Sequence, residues 1–234
     1  MSGRAVIIGI ALVAAAGVIW HAQQADPLTE HQEQVRPAAP PSAPSSPTSA
    51  FAAIPTAQAP AAALAYRSTL IRTARSVWGM DAPIAVFAAQ LHQESAWKPD
   101  AVSHVGAQGL AQFMPATTEW IVQVDKTLTN PDPFNPAWSI RAMVVYDQWL
   151  FARTPARYNE RDRMWVSLRA YNGGLGHWQR EAASSGLAQP SREQVDAACG
   201  KARRAASHCR ENLQYPARIL NVHQQRYASW GPGL

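Results

Sequence analysis

The stretch RPAAPPSAPSSPTSAFAAIPTAQAP, residues 36–60, most constrains this chain, because nothing in it can bury a core. Proline fixes φ and removes a backbone donor, while alanine and serine offer too little apolar surface to repay ordering. The segment predicts an extended, semi-rigid tether that gains about 3.1 Å per residue where it is polyproline-like. A globular unit must therefore come from the remainder of the 234 residues, and only the part after residue 60 is long enough. Three segments result: residues 1–25, a disordered linker over 26–60, and a folded unit over 61–234.

The first segment points to export. Arg4 precedes an uncharged apolar run from Ala5 to Trp20, and Asp26, Glu30 and Glu33 follow it. The run exceeds a signal-peptide core of about 7–15 residues and falls just short of a membrane span of about 17–25 residues. Basic before and acidic after predicts that the bulk of the chain lies outside the cytoplasm. Cleavage after Ala14-Ala15-Ala16 would strand Val18, Ile19 and Trp20 at a mature end. Residues 5–20 thus read as an uncleaved anchor in the inner membrane, with a cleaved signal peptide as the alternative and the periplasm as the destination of both. The only cysteines, Cys199 and Cys209, are too far apart for a Cys-x-x-Cys pair. Two readings stay open for them: one disulfide in an oxidising compartment, or two buried thiols. The formal charge of +5 is spread along the chain without a basic stripe or base-reading motif, so no nucleic-acid partner is expected.

Beyond residue 60 the apolar spacing is helical and valine-rich alternation is scarce, which predicts a mainly α fold. Leu64, Leu70, Ile71, Ala74, Val77 and Trp78 mark one helix, with Gly79 as its C-terminal cap. A second is expected from an Asp81 cap to Lys98, with Ile84, Phe87, Ala88 and Leu91 on one face and Glu94 at the rim of that face. Asn135-Pro136 opens a third, Arg161–Ala170 forms a fourth, and Gln214–Tyr227 closes the chain. Two polar, glycine-bearing segments separate them, 99–109 and 171–176, where a site is expected to lie.

A carboxyl at the rim of an apolar face is partly desolvated, which raises its pKa and suits general-acid work near neutrality. His92-Gln93-Glu94 contains the His-x-Glu of zinc deaminases, yet the Pro-Cys-x-x-Cys that must accompany it is missing. No His-Glu-x-x-His or Gly-x-Ser-x-Gly occurs either, so neither a metal nor any other cofactor is expected, and His92 reads as a surface histidine. Trp97, Gln112, Tyr171, Asn172 and Trp178 are rings and amides of the kind that line a carbohydrate cleft.

In sequence order these residues resemble a known family. HQESAWKPDAVSHVGAQGLAQFMPAT is similar to the signature of the soluble-lytic-transglycosylase (SLT) domain, glycoside hydrolase family 23. Glu94-Ser95, then Gly109-Leu110-Ala111-Gln112 with Met114-Pro115-Ala116-Thr117, then Ala170-Tyr171-Asn172, then Tyr215 follow its motifs in order across most of residues 66–230. Ala111 replaces the usual methionine, Pro216 follows Tyr215 where valine is common, and the interval from Gly176 to Glu211 is long. The resemblance implies a lysozyme-like fold and peptidoglycan glycan strands as the partner. It also implies cleavage between N-acetylmuramic acid and N-acetylglucosamine to leave 1,6-anhydro ends. Glu94 would be the acid–base residue, with Ser95, Gln112, Tyr171, Asn172 and Tyr215 around the substrate. A hydrolase needs two carboxyls about 5–5.5 Å or 6.5–9.5 Å apart, and Asp100, Glu119 and Asp125 stand in no motif that would supply the second. A goose-type lysozyme hydrolase and a non-catalytic peptidoglycan-binding module are the rival readings. Wall remodelling, a secretion apparatus and phage lysis would each use such an enzyme.

Overall fold

A computed structural model describes residues 58–234. The anchor and most of the tether expected over residues 1–57 lie outside the described residues. Among those described, nine α-helices and short turns account for the regular structure, and strand pairing is limited to isolated bridges at Gln108, with Val102 and with Phe113. No helix among them is long and apolar enough to cross a membrane.

The core is organised around α3 (Ile84–Ser95). Ala85, Ala88 and Ala89 are as buried as Ile84, Phe87 and Leu91, so this helix is enclosed nearly all round rather than amphipathic. Ala85 and Ala89, away from the face of Ile84, Phe87 and Leu91, leave room for the chain's last turns to approach closely. α2 (Arg67–Trp78) and the C-terminal turns at Ile219–His223 and Gln224–Tyr227 pack on it. A second layer follows from α5 (Pro136–Phe151), which lies against α2, α4 (Pro115–Val124) and α6 (Glu160–Gly173). Asn135 caps α5 by accepting from the amides of Ala137 and Trp138, as expected. α1 is a single turn, Ala61–Leu64, split from α2 at Ala65 and Tyr66.

The boundaries of α3 and of the closing helix differ from expectation for physical reasons. α3 begins after Pro83, not at an Asp81 cap, and stops at Ser95 rather than Lys98. Ala96 and Trp97 turn left-handed, at φ 49° and 67°, a conformation that costs a non-glycine residue about 1 kcal/mol or more. Burial of the Trp97 indole repays it: the ring stacks on Tyr66 at 6.0 Å and donates to Tyr227 Oη at 2.7 Å. At the other end, Pro216 sits inside α9 (Cys209–Arg218), not in the first turn of a closing helix. It removes one helical hydrogen bond, and the backbone beyond Arg218 widens into a π turn over Ile219–His223.

The interval between Gly176 and Glu211 is ordered by charge and a cross-link. α7 (Leu175–Ser184) and α8 (Arg192–Ala197) pack together, and Cys199 and Cys209 form a disulfide with a Cα–Cα distance of 5.8 Å. Of the two readings open for the cysteines, the disulfide is the one realised. It fixes the first residue of α9. Replacing both cysteines by serine is expected to lower unfolding free energy by about 2–3 kcal/mol, from the loop-closure entropy of a bridge spanning 10 residues. Urea denaturation of the two proteins side by side measures it.

Candidate active site

One loop and the ends of three helices gather the motif residues, and the 171–173 stretch expected between helices is the last turn of α6. Residues 99–114 form a compact loop held by its own backbone, with Gln108 and Phe113 exchanging hydrogen bonds at 3.0 and 2.9 Å. At Gly109, φ is 73° and a Cβ would lie 1.7 Å from the Pro133 carbonyl oxygen, so only glycine fits there. Gln112 follows at φ 50°, and its Nε2 donates to the carbonyls of Gly109 and Ala101 at 2.9 and 3.2 Å. That bidentate tie closes the loop on itself.

This loop, the C-terminal end of α3, the end of α6 and one face of α9 enclose a cleft of about 1020 Å3. Glu94, Ser95, Gln112, Tyr171, Asn172 and Tyr215, distant in sequence, all line it. Glu94 is in the last turn of α3, and Tyr215 of α9 donates its hydroxyl to Glu94 Oε1. Ser95 Oγ donates back to the Leu91 carbonyl at 3.4 Å. Tyr171 Oη donates to the Ala111 carbonyl at 2.8 Å, which ties α6 to the loop. Asn172 Oδ1 accepts from Asn212 Nδ2 at 3.0 Å.

Burial dominates the electrostatics. Desolvation pushes the Glu94 carboxyl up to about 8; the Tyr215 hydrogen bond pulls the other way, and the nearby Glu211 charge adds to the rise. The negative end of the α3 dipole acts in the same direction as the burial. At neutral pH the group holds its proton and still faces the cleft. Burial also holds the Tyr215 and Tyr171 hydroxyls well above the ordinary tyrosine range, with the Glu94 charge adding to it, so both stay protonated donors.

Several expectations are corrected here. Trp97 and Trp178 do not line the cleft: Trp97 is in the main core, and Trp178 packs with Val166 and Val195 in a smaller one. The rings on the wall are instead Tyr146 and Trp149 of α5 with Trp120 of α4, joined edge-to-face at 5.0 to 5.4 Å through Trp120. Their signal was the i, i+3 spacing of two aromatics at the solvent edge of α5. His92 is half-buried rather than on the surface; its Nδ1 lies 2.7 Å from Tyr227 Oη, and its ring stacks on His223 at 4.6 Å. Glu211 was also missed, because it stands one turn before Tyr215 on a helix whose face cannot be set from sequence alone. Among the described residues one His/Cys/Asp/Glu group is close enough for a metal: Glu181, Cys199 and Cys209. Its sulfurs are bonded to each other and its carboxylate to Arg169 and Arg204, so it offers an ion little.

The profile of the transglycosylase SLT domain matches residues 70–194, more than half of the chain. The chain belongs to the transglycosylase SLT domain family. Glu94, Ser95, Gln112, Tyr171 and Asn172 fall inside that match, whereas both cysteines and Tyr215 lie beyond it. Over 92 residues, 39% of this chain, the SLT segment is 39% identical to the membrane-bound lytic murein transglycosylase F of Pasteurella multocida and to that of Maricaulis maris. Those stretches are 17% and 19% of the two relatives, so the chain matches only a small part of each. The fold is similar to the 70 kDa soluble lytic transglycosylase of Escherichia coli, at a TM-score of 0.53 and 25% identity, covering 72% of this chain and 25% of that one.

Removing the Tyr215 hydroxyl isolates its contribution within this SLT site. Tyr215→Phe leaves the ring and deletes the donor to Glu94, so the Glu94 pKa is expected to rise further and kcat to fall about tenfold. A pH–rate profile beside that of the unmodified protein reads both effects.

Proposed function

We propose that this protein is a peptidoglycan lytic transglycosylase, cleaving the β-1,4 bond between N-acetylmuramic acid and N-acetylglucosamine without net addition of water. One observation carries the proposal: a glutamate, kept protonated by desolvation and held by a tyrosine hydroxyl, faces a cleft walled by rings and amides. The names of its relatives support the same reading.

Glu94 gives its proton to the glycosidic oxygen as the C1–O4 bond breaks. The substrate's 2-acetamido oxygen supports the positive charge that develops at C1. Glu94, now a carboxylate, takes the proton of the C6 hydroxyl, and O6 closes onto C1 to release a 1,6-anhydromuramoyl end. Tyr215 steadies the carboxylate in the interval between the two proton transfers. Tyr171, fixed by Ala111, and Asn172, fixed by Asn212, place donors and acceptors beside the acetamido group. Gln112 and Ser95 hold the loop and the helix end that flank it. No metal or other cofactor enters these steps.

The segments before residue 61 complete the proposal: an anchor over residues 5–20 and a tether that lets the SLT unit reach the wall from the membrane. The apolar run and the membrane-bound names of the relatives support it.

Activity should follow the Glu94 proton. Turnover of purified peptidoglycan is expected to hold up to neutrality and fall as pH rises through about 8. An alkaline limb below about pH 6 would contradict the assignment, since the acid would then lie in the ordinary carboxyl range. Glu211 supports a second reading, because a second acid in the cleft is what a water-activating hydrolase would use.

A further inference from the structure

A different acid lies deeper behind Glu94, and the steps above leave it unused. Asp147 follows Tyr146 on α5 and is fully buried within an otherwise apolar part of the core. Its Oδ1 accepts from Gln90 Nε2 at 3.4 Å. Gln90 is also fully buried and stands one helical turn before Glu94 on α3, so the Asp147–Gln90 contact joins α5 to α3 directly below the acid. Two atoms of the pair are left without partners: Asp147 Oδ2 and Gln90 Oε1.

Both orphans are acceptors, and a buried acceptor left unsatisfied loses its hydration without recompense, at greater cost when charged. One proton resolves both. Placed on Oδ2, it turns that oxygen into a donor for Gln90 Oε1 while Gln90 Nε2 continues to donate to Oδ1. The result is a closed acid–amide ring with both ends satisfied. We infer that Asp147 keeps its proton in the working enzyme and closes a two-hydrogen-bond ring with Gln90, acting as a positioning residue for Glu94 and not as a second acid–base group.

The surroundings agree. The groups whose charge bears on Asp147, or on which its charge bears, are Glu94 of α3, Tyr171 of α6, Tyr215 of α9 and Tyr146 of its own helix. All are acids and none is a cation that would stabilise a carboxylate. Burial, first, and then the Glu94 charge hold the Asp147 carboxyl well above its usual range, against the Gln90 hydrogen bond. A neutral Asp147 also matters to the cycle proposed for Glu94, on which this inference rests. An ionised Asp147 would make a second negative charge in the same desolvated region and oppose release of the Glu94 proton.

The test reads the proton directly. The full chain is labelled with 13C at the aspartate Cγ, and the Asp147 resonance is assigned in the unmodified protein through its own backbone signals, so no variant has to fold. The expected result is a carboxylic-acid shift for Asp147 at neutral pH, where exposed aspartates show carboxylate shifts. A carboxylate shift there overturns the inference. Turnover supplies the second readout. Asp147→Asn keeps a ring, amide to amide, and is expected to retain kcat within about threefold with an unmoved alkaline limb. Asp147→Leu strands the Gln90 amide and is expected to lower kcat about tenfold at unchanged KM, the mark of a displaced acid rather than lost binding. A folded Asp147→Asn protein about 100-fold slower would make the aspartate a working carboxylate and sink the proposal. The carbon shift needs no substrate, so it answers for Asp147 even where Glu94→Gln proves active and the transglycosylase reading fails.

Discussion

Glu94→Gln is expected to lose about 1,000-fold or more of turnover and, at the same time, to gain stability. The amide keeps the shape of the acid and can still accept from Tyr215, but it can neither give a proton to a leaving oxygen nor take one from O6. General acid–base catalysis contributes about 100- to 10,000-fold, and here the same group serves both steps. The stability gain follows from linkage. The folded-state pKa is raised to about 8 from an ordinary 4.5, so between those values the native state holds a proton that the unfolded chain releases. Unfolding free energy therefore falls as pH rises through that window, and the cost is fully present above about 8. Glutamine has no such cost. At pH 7 the variant should be more stable by on the order of 1–3 kcal/mol, and near pH 4 the difference should vanish. Denaturant titrations at the two pH values check the sign. A variant of equal stability at both would mean that the carboxyl is solvated and not poised as proposed.

The largest loss of stability is expected from Glu181→Ala. Glu181 is fully buried, accepting from Arg169 Nη2 at 2.7 Å on one oxygen and from Arg204 Nε at 2.6 Å on the other. Arg169 is equally buried, and its other partners are Asp196 at 2.7 Å, Asn212 at 3.0 Å and Cys199 Sγ at 3.4 Å. Deleting the carboxylate takes from Arg204 the acid it is bonded to and leaves Arg169 with that of Asp196. Breaking a buried pair in this way costs about 3–5 kcal/mol. The loss reaches the cleft as well, since Asn212 bridges Arg169 to Asn172. At Gly173 the packing leaves no slack: a Cβ would lie 2.4 Å from Arg204 Nη1 and 2.5 Å from Asn212 Nδ2. Urea denaturation measures the destabilisation. Glu181→Gln, which keeps an acceptor, should lose less.

The legible part of this protein was the part written in local residues. The Asn135-Pro136 start, the Gly79 stop and the Ala-Tyr-Asn and Glu-Ser motifs are short-range signals, and each sits in the element or cleft it marked. Long-range competition hid the rest. The end of α3 was misplaced because a tryptophan two residues past Ser95 is worth more in the core than another helical turn, and nothing within 84–98 reveals Tyr66 and Tyr227 as its partners. The rim position read for Glu94 assumed a one-faced helix, whereas the last turns of the chain cover the other side of α3. Trp178 looked like a sugar-stacking ring by type, and only the fold shows it occupied by Val166 and Val195. Asp147 gave no signal at all. A carboxylate amid Val144, Val145 and Leu150 reads as the polar edge of a helix until its burial against Gln90 is seen.

In the reaction proposed for Glu94 the sugar's own O6, and not water, attacks C1, and the products decide between the two. The full chain is incubated with purified peptidoglycan and the released fragments are resolved by mass spectrometry. Muropeptides ending in 1,6-anhydro-N-acetylmuramic acid, one water lighter than hydrolysis products, are expected, and none from the Glu94→Gln protein. Reducing-ended muropeptides from the unmodified chain would contradict it and would assign the activation of water to Glu211 at the cleft wall.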